Sequence, residues 1–261
     1  MNAFVRPRSL EAPAVRLVVF HHAGGSSAPY FPLSRHLPVE WDLLLADLPG
    51  RGKRHTAPAT DRLPDLVALF ADDLKPWADN APLALFGHSL GAVVALETAR
   101  ELERRGAAPV WVGVCGRTPP EHPLRLPGMR SDLPDDDLLR SLAALGGLPV
   151  RIDELPGFRD RFLHLIRTDL RVLESYRPDP ARRPLACPLT AFGSPDDPLT
   201  PPAALTGWAR ETIGGFRGRL LPGGHFGFLH DAFRTLASAL VDELDPALRP
   251  PVPATTVRTA R

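Results

Sequence analysis

The sequence predicts an α/β fold: a mostly parallel central sheet with helices on both faces and a helical insertion. Three observations predict it. Short apolar runs recur along the chain, amphipathic stretches of helical length separate several of them, and the rhythm breaks once, between residues 117 and 184. The runs at 15–21, 41–45, 83–86, 110–115, 185–192 and 219–221 read as strands, because short apolar runs bounded by turn formers suit a strand buried on both faces. The stretches at 63–77, 90–105, 203–211 and 226–244 read as helices. In 90–105, Val93, Val94, Leu96 and Ala99 make an apolar side, while Glu97, Arg100, Glu101, Glu103, Arg104 and Arg105 face water. Gly106 follows as a C-terminal stop.

From residue 117 the pattern changes. Pro119, Pro120, Pro123, Pro127 and Pro134 open a segment with no clear strand, and a proline-rich stretch at 177–184 closes it. Between them lie two helical patterns, 135–145 and 158–174; Asp132, Pro134 and the acids Asp135, Asp136 and Asp137 mark the start of the first. The expected organisation is a first core part over 1–116, a helical lid over 117–184, a second core part over 185–245 and a disordered tail over 246–261.

The net charge of +1 supplies no global field to recruit nucleic acid or an anionic membrane. Lys53 and Lys75 are the only lysines beside many arginines, a coding bias rather than a binding patch. Cys115 and Cys187 both lie in apolar runs without metal-ligand spacing and read as buried, reduced side chains. The N-terminus lacks the apolar core of a secretory signal, and no apolar run reaches membrane-spanning length, so a soluble cytoplasmic protein is expected.

The chemistry centres on Gly87-His88-Ser89-Leu90-Gly91, where an apolar strand passes directly into a helix. This is the form of the nucleophile elbow of α/β-hydrolases, a sharp turn that lifts a serine hydroxyl clear of the backbone. Gly87 and Gly91 stand where side chains would collide as the helix folds back on the strand. Ser89 is the expected nucleophile, and it needs a base and an orienting acid, which follow it in the order acid, then histidine. His225 stands behind Gly223 and Gly224 after the last strand and is the expected base. His88 reads as packing inside the elbow, His230 falls within a helical pattern, and His21 and His22 precede Ser89, which leaves them as site-lining groups. Two adjacent acids, Asp196 and Asp197, end the strand at 185–192; only one can reach His225, spacing alone does not choose, and Asp197 is preferred. The oxyanion donors expected in this architecture are the backbone N–H of Leu90 and, from the loop after the first strand, that of Ala23.

With these pieces placed, the chain resembles the type II (editing) thioesterases of nonribosomal peptide and polyketide synthases. The segments that carry the likeness are His22-Ala23-Gly24-Gly25, the run from Asp47 through Pro49-Gly50-Arg51-Gly52 to Arg54, the elbow, Cys187-Pro188-Leu189-Thr190 leading to Asp197-Pro198, and Gly224-His225-Phe226. Arg167-Thr168-Asp169-Leu170 and Tyr176 resemble the family's lid. Ser194 stands where the family usually has a second glycine, and Pro195 stiffens that loop. Aligning on the Asp-Pro pair favours Asp197.

The resemblance implies an α/β-hydrolase fold and a substrate acyl group held as a thioester on the phosphopantetheine arm of an acyl or peptidyl carrier protein. It calls for no metal or organic cofactor, and a monomer is expected. A carrier would dock near the lid, where Arg125, Arg130, Arg140, Arg151, Arg159, Arg161 and Arg171 could meet an acidic helix. Rival readings are a carboxylesterase or lipase on the same scaffold, a product-releasing thioesterase, and a non-catalytic carrier-binding module.

Overall fold

The computed structural model describes residues 4–122, 129–149, 152, 154, 156–229 and 232–248. Its strands are β1 (Phe4–Val5), β2 (Val15–Phe20), β3 (Trp41–Ala46), β4 (Leu83–His88), β5 (Trp111–Cys115), β6 (Leu189–Gly193) and β7 (Phe216–Leu220). They form a seven-stranded sheet in the order β1-β3-β2-β4-β5-β6-β7, parallel except for β1. The helices are α1 (Leu63–Ala78), α2 (Leu90–Arg104), α3 (Asp135–Ala144), α4 (Phe158–Ser175) and α5 (Phe233–Leu248).

Strand periodicity sorts the side chains into two layers. From β2, Val15, Leu17 and Val19 enter one layer with Tyr30 and Leu33 of the 3-10 helix Ala28–Arg35 and with Phe233, Leu236 and Leu240 of α5. Val18 and Phe20 enter the other, where Leu66, Phe70 and Leu74 of α1 and Val93, Leu96 and Leu102 of α2 cover the sheet. Helices therefore cover both faces, as the alternating pattern requires. In the 117–184 segment, Leu138 and Leu142 of α3 pack with Phe162, Ile166 and Leu170 of α4 in a small core of their own. Asp135, Asp136 and Asp137 occupy the first turn of α3, where carboxylates suit the positive end of the helix dipole. Among the described residues no helix is long and apolar enough to cross a membrane.

Several elements differ from the sequence reading. The pair Phe4–Val5 is too short to show a pattern, yet Phe4 is fully buried and the pair lies antiparallel to β3. The run at 185–192 pairs continuously only from Leu189, because Pro188 has no N–H for the ladder; Leu185 makes an isolated bridge to Thr212. Pro202–Glu211 is a 3-10 helix rather than an α-helix, held by the burial of Leu205 and Trp208 in the core and by the bond from Trp208 Nε1 to the carbonyl of Arg117. The stretch at 226–244 divides into a 3-10 turn at Gly227–Leu229 and α5 from Phe233, because the chain turns sharply after His225. Helix α5 continues through Pro246 to Leu248, past the expected boundary of the tail, because Ala247 and Leu248 pack on the core; 249–261 and His230 lie outside the described residues.

The two elbow glycines have different neighbours. A Cβ on Gly87 would stand 2.0 Å from the carbonyl oxygen of Gly91, and one on Gly91 would stand 2.1 Å from that of Phe20. Helix α2 thus rests directly on the backbone of β2 and β4. Gly91→Ala should lower the unfolding free energy by about 1–3 kcal/mol through overpacking against backbone that has no rotamer with which to yield. A urea midpoint equal to that of the parent protein would contradict this contact.

Candidate active site

The sheet reverses direction at β2, since β3 lies on one side of it and β4 on the other, and a crevice opens at their carboxyl ends. The loop at 21–25 leaves β2 there and Ser89 leaves β4 beside it, with Phe20 paired to Gly87 in register. Ser89 has φ 57° and ψ −112° and is the only non-glycine among the described residues with positive φ. A backbone of this kind costs on the order of 1–3 kcal/mol, and the surrounding packing must impose it. The Ser89 N–H donates to the carbonyl of Cys115 (2.8 Å), tying the elbow to the end of β5.

His225 and Asp197 are buried together, and Nδ1 of the imidazole lies 2.9 Å from Oδ2 of the carboxylate. An ionised carboxylate only accepts, so Nδ1 carries the proton and Nε2 presents a lone pair. Burial opposes the charge on Asp197. The hydrogen bond and charge of His225, with the Leu199 N–H donating to Oδ1 (2.8 Å), outweigh it and hold the carboxyl below its ordinary range. Asp196 is exposed, and its N–H donates to Ser194 Oγ (3.1 Å), so Ser194 caps the turn. His225 packs over Gly116 at the end of β5. A Cβ there would stand 3.1 Å from His225 Cε1 and 3.2 Å from His88 Cδ2, and the φ of 63° also favours glycine.

The backbone amides around the crevice are accounted for unevenly. Gly24 N–H donates to Asp169 Oδ2 (2.7 Å), and Gly25 N–H donates to the carbonyl of His22 (3.1 Å). Among the described residues neither the N–H of Ala23 nor that of buried Leu90 donates a hydrogen bond.

Tyr30, which carries no signal in the sequence, joins His22 and His88 in a buried polar chain. His22 Nδ1 lies 2.9 Å from the Tyr30 hydroxyl, which lies 2.8 Å from His88 Nδ1; His88 Nε2 lies 2.9 Å from the carbonyl oxygen of His225. A carbonyl only accepts, so His88 donates from Nε2 and accepts at Nδ1 from the Tyr30 hydroxyl. The hydroxyl in turn accepts from His22 Nδ1–H. Burial keeps His22 and His88 neutral by lowering both pKa values well below the usual imidazole range, and burial raises that of Tyr30. His88 therefore packs inside the elbow as expected, but as a polar strut to the backbone of the candidate base. His21 is held down to about 3 by burial and the nearby Arg51; it contacts the carbonyl of His22 and the N–H of Leu48, and is not a site-lining group.

The likeness segments 49–52 and 167–170 meet across the site. Arg51 pairs with Asp169 through two hydrogen bonds of 2.5 and 2.8 Å, both groups being buried, which joins α4 to the loop after β3 and, through Gly24, to the loop after β2. Beside them is a cavity of about 530 Å³ lined by His22, Phe158, Phe162, Leu165 and Phe226, among others. The expected cationic docking face is largely self-neutralised. Arg130, Arg140, Arg159 and Arg171 pair with Asp132, Asp137, Asp136 and Asp61, and Arg161 donates to the carbonyl of Gly50; Arg125 and Arg151 lie outside the described residues. Cys115 and Cys187 are buried free thiols, as expected.

A family model described as "Thioesterase domain" matches residues 15–244. The chain belongs to the thioesterase domain family. A probable cadicidin biosynthesis thioesterase of Streptomyces griseus is 36% identical over 90% of this chain, which spans 64% of that protein's length. Among solved structures, RedJ, a thioesterase from the prodiginine biosynthetic pathway in Streptomyces coelicolor, is 36% identical, with a TM-score of 0.81 over 89% of this chain and 91% of its own. BorB, the type II thioesterase from the borrelidin biosynthetic cluster, is 30% identical, with a TM-score of 0.81 over 95% and 98%. The likeness drawn from the motifs is borne out. This is a type II thioesterase with the α/β-hydrolase fold.

Two measurements check the site. Tyr30→Phe strands the two imidazole nitrogens it served and should cost about 1–3 kcal/mol in urea unfolding; no loss would show that the polar chain is not formed. Asp197 is depressed in the folded state, so its contribution is present above the unfolded carboxyl pKa of about 3.9 and is lost as pH falls through the folded value. The stability gap between wild type and Asp197→Asn should thus narrow on acidification below about pH 4. A gap that widened there would reverse the sign assigned to this carboxyl.

Proposed function

We propose that this thioesterase releases acyl groups from the phosphopantetheine arm of carrier proteins, clearing stalled or misprimed units in polyketide or nonribosomal peptide assembly, with Ser89, His225 and Asp197 as its triad. Nε2 of His225 takes the Ser89 proton as the hydroxyl oxygen attacks the thioester carbonyl, and the N–H groups of Ala23 and Leu90 receive the oxyanion. Collapse expels the arm's sulfur, a better leaving group than an alkoxide because the thiol pKa is near 8.5; it departs as the thiol with the proton from His225 Nε2, leaving an acyl-serine and a neutral imidazole. His225 then draws a proton from water, the hydroxide adds to the acyl carbon, and the acid leaves as the proton returns to Ser89. Asp197 holds the tautomer throughout.

The observation that carries this reading is the Nδ1 hydrogen bond from His225 to Asp197, because it leaves the lone pair on Nε2 of a ring whose centroid lies 5.1 Å from that of His88 in the elbow. The undonated amides of Ala23 and Leu90 support the oxyanion assignment. The helices over 117–184 serve as a lid, latched to the core through Asp169 and Arg51. The apolar cavity against α4 suits the acyl chain.

Ser89→Ala should reduce hydrolysis of an acylated carrier protein on the order of 10³-fold or more while leaving the urea midpoint near that of the wild type. The same assay run with the matching oxygen ester separates the rivals. Faster turnover of the ester by the wild type would identify an esterase, and a rate indifferent to Ser89→Ala would identify a binding module.

A further inference from the structure

Three arginines among the described residues are buried: Arg16, Arg51 and Arg117. Arg16 donates to the carbonyl of Trp77 (2.7 Å) and lies 3.7 Å from Asp42, and Arg51 is held by Asp169. Arg117 is 8% exposed, yet its guanidinium has no hydrogen-bond or ion-pair partner among the described residues, and its Nε is buried without one. Guanidinium cannot escape this by losing its proton; burial lowers it only to about 10. A buried charge without a counter-charge costs several kcal/mol, which the fold avoids at the other two sites.

The side chain lines a cavity of about 690 Å³ between the end of β5 and the C-terminal turn of α4. Three carboxylates also line it, and each is engaged elsewhere. Glu174 accepts from the N–H and hydroxyl of Ser131 (2.7 and 2.6 Å), Asp132 pairs with Arg130, and Glu121 faces Arg182 and Arg210. The backbone of Arg117 is fixed, its carbonyl accepting from Trp208 Nε1 (2.9 Å). Its neighbour Gly116 is the residue over which His225 packs. With consecutive Cα atoms about 3.8 Å apart, an extended arginine keeps its guanidinium within roughly 15 Å of the imidazole. An extended phosphopantetheine arm spans that upper bound, and an acyl carboxylate reaches the guanidinium at the shorter separations it allows.

We propose that Arg117 and this cavity form an oxyanion subsite that takes an anionic group carried by the thioester substrate, either a phosphate on its arm or a carboxylate on its acyl chain. The subsite rests on the thioester-hydrolase reading above and adds a recognition element to it. The planar fork of the guanidinium suits both groups, since each offers paired oxygens for parallel N–H donors.

The test uses the whole protein and four soluble thioesters: propionyl-N-acetylcysteamine, succinyl-N-acetylcysteamine, propionyl-pantetheine and propionyl-phosphopantetheine. Wild type should show a kcat/KM preference of roughly tenfold or more for one anionic member of a pair, as expected of a charge-assisted contact. Phosphopantetheine over pantetheine assigns the phosphate, and succinyl over propionyl on N-acetylcysteamine assigns the carboxylate. Arg117→Met should abolish that preference and leave the propionyl-N-acetylcysteamine rate unchanged, while Arg117→Lys keeps part of it. Should the methionine variant not fold, Arg117→Gln takes its place. The subsite is overturned if wild type prefers neither anion, or if the preference survives loss of the charge. Failure to hydrolyse any of the four thioesters would instead remove the catalytic reading on which the subsite stands.

Discussion

Everything at this site depends on how closely helix α2 approaches the carboxyl ends of β2 and β4. The approach is backbone on backbone, with the carbonyl of Phe20 about where a Cβ of residue 91 would stand. That contact forces the chain to turn within one residue and places Ser89 in a conformation that no other non-glycine among the described residues adopts. It also brings the start of α2 beside the loop leaving β2, so that the amides of Leu90 and Ala23 border one crevice. A wider helix–sheet spacing would relax the serine and separate the amides in the same movement.

Around this turn the protein spends its buried polar groups sparingly. Tyr30 and His88 pass hydrogen bonds from the loop after β2 to the backbone of His225, each group donating once and accepting where a lone pair is offered. Burial keeps these imidazoles neutral, which such a chain requires, because a second proton on His88 would meet the Tyr30 hydroxyl as a competing donor. The bond from His225 to Asp197 fixes a different tautomer, with the proton on Nδ1 and the lone pair on Nε2. His88 and His225 thus have opposite proton placements, set by which ring nitrogen faces an oxygen that only accepts: Nε2 in His88 and Nδ1 in His225.

The pairing of Arg51 with Asp169 joins the helical segment to both loops of the crevice and balances the two charges, with Gly24 N–H sharing the carboxylate. Arg117 contrasts with it. Arg51 holds α4 to the core, and Arg117 faces a cavity without a partner among the described residues. The same side chain in a similar buried setting is structural in one place and receptive in the other, and the difference lies in whether a carboxylate pairs with it: Asp169 holds Arg51, while the acids around Arg117 have other partners.

Most of the fold was legible in the chain, because its signals are local. Strand runs, the amphipathic face of α2, the acidic start of α3 and the glycine-flanked serine each lie within one element, where period and sterics act over a few residues. The order serine, aspartate, histidine was legible too, since it follows chain direction. What periodicity could not show were the short antiparallel pair at Phe4–Val5, the 3-10 geometry of Pro202–Glu211 and the extension of α5 to Leu248, all set by packing against distant segments. The choice between Asp196 and Asp197 likewise came from burial, with one side chain turned to solvent and its neighbour inward. His88 offered no signal beyond its place in the elbow, because its partners Tyr30 and His225 lie 58 and 137 residues away. By itself the sequence determined which residues could do the chemistry; the tertiary structure alone decided which of them meet, because hydrogen bonds and ion pairs act over about 3 Å of space and take no account of separation along the chain.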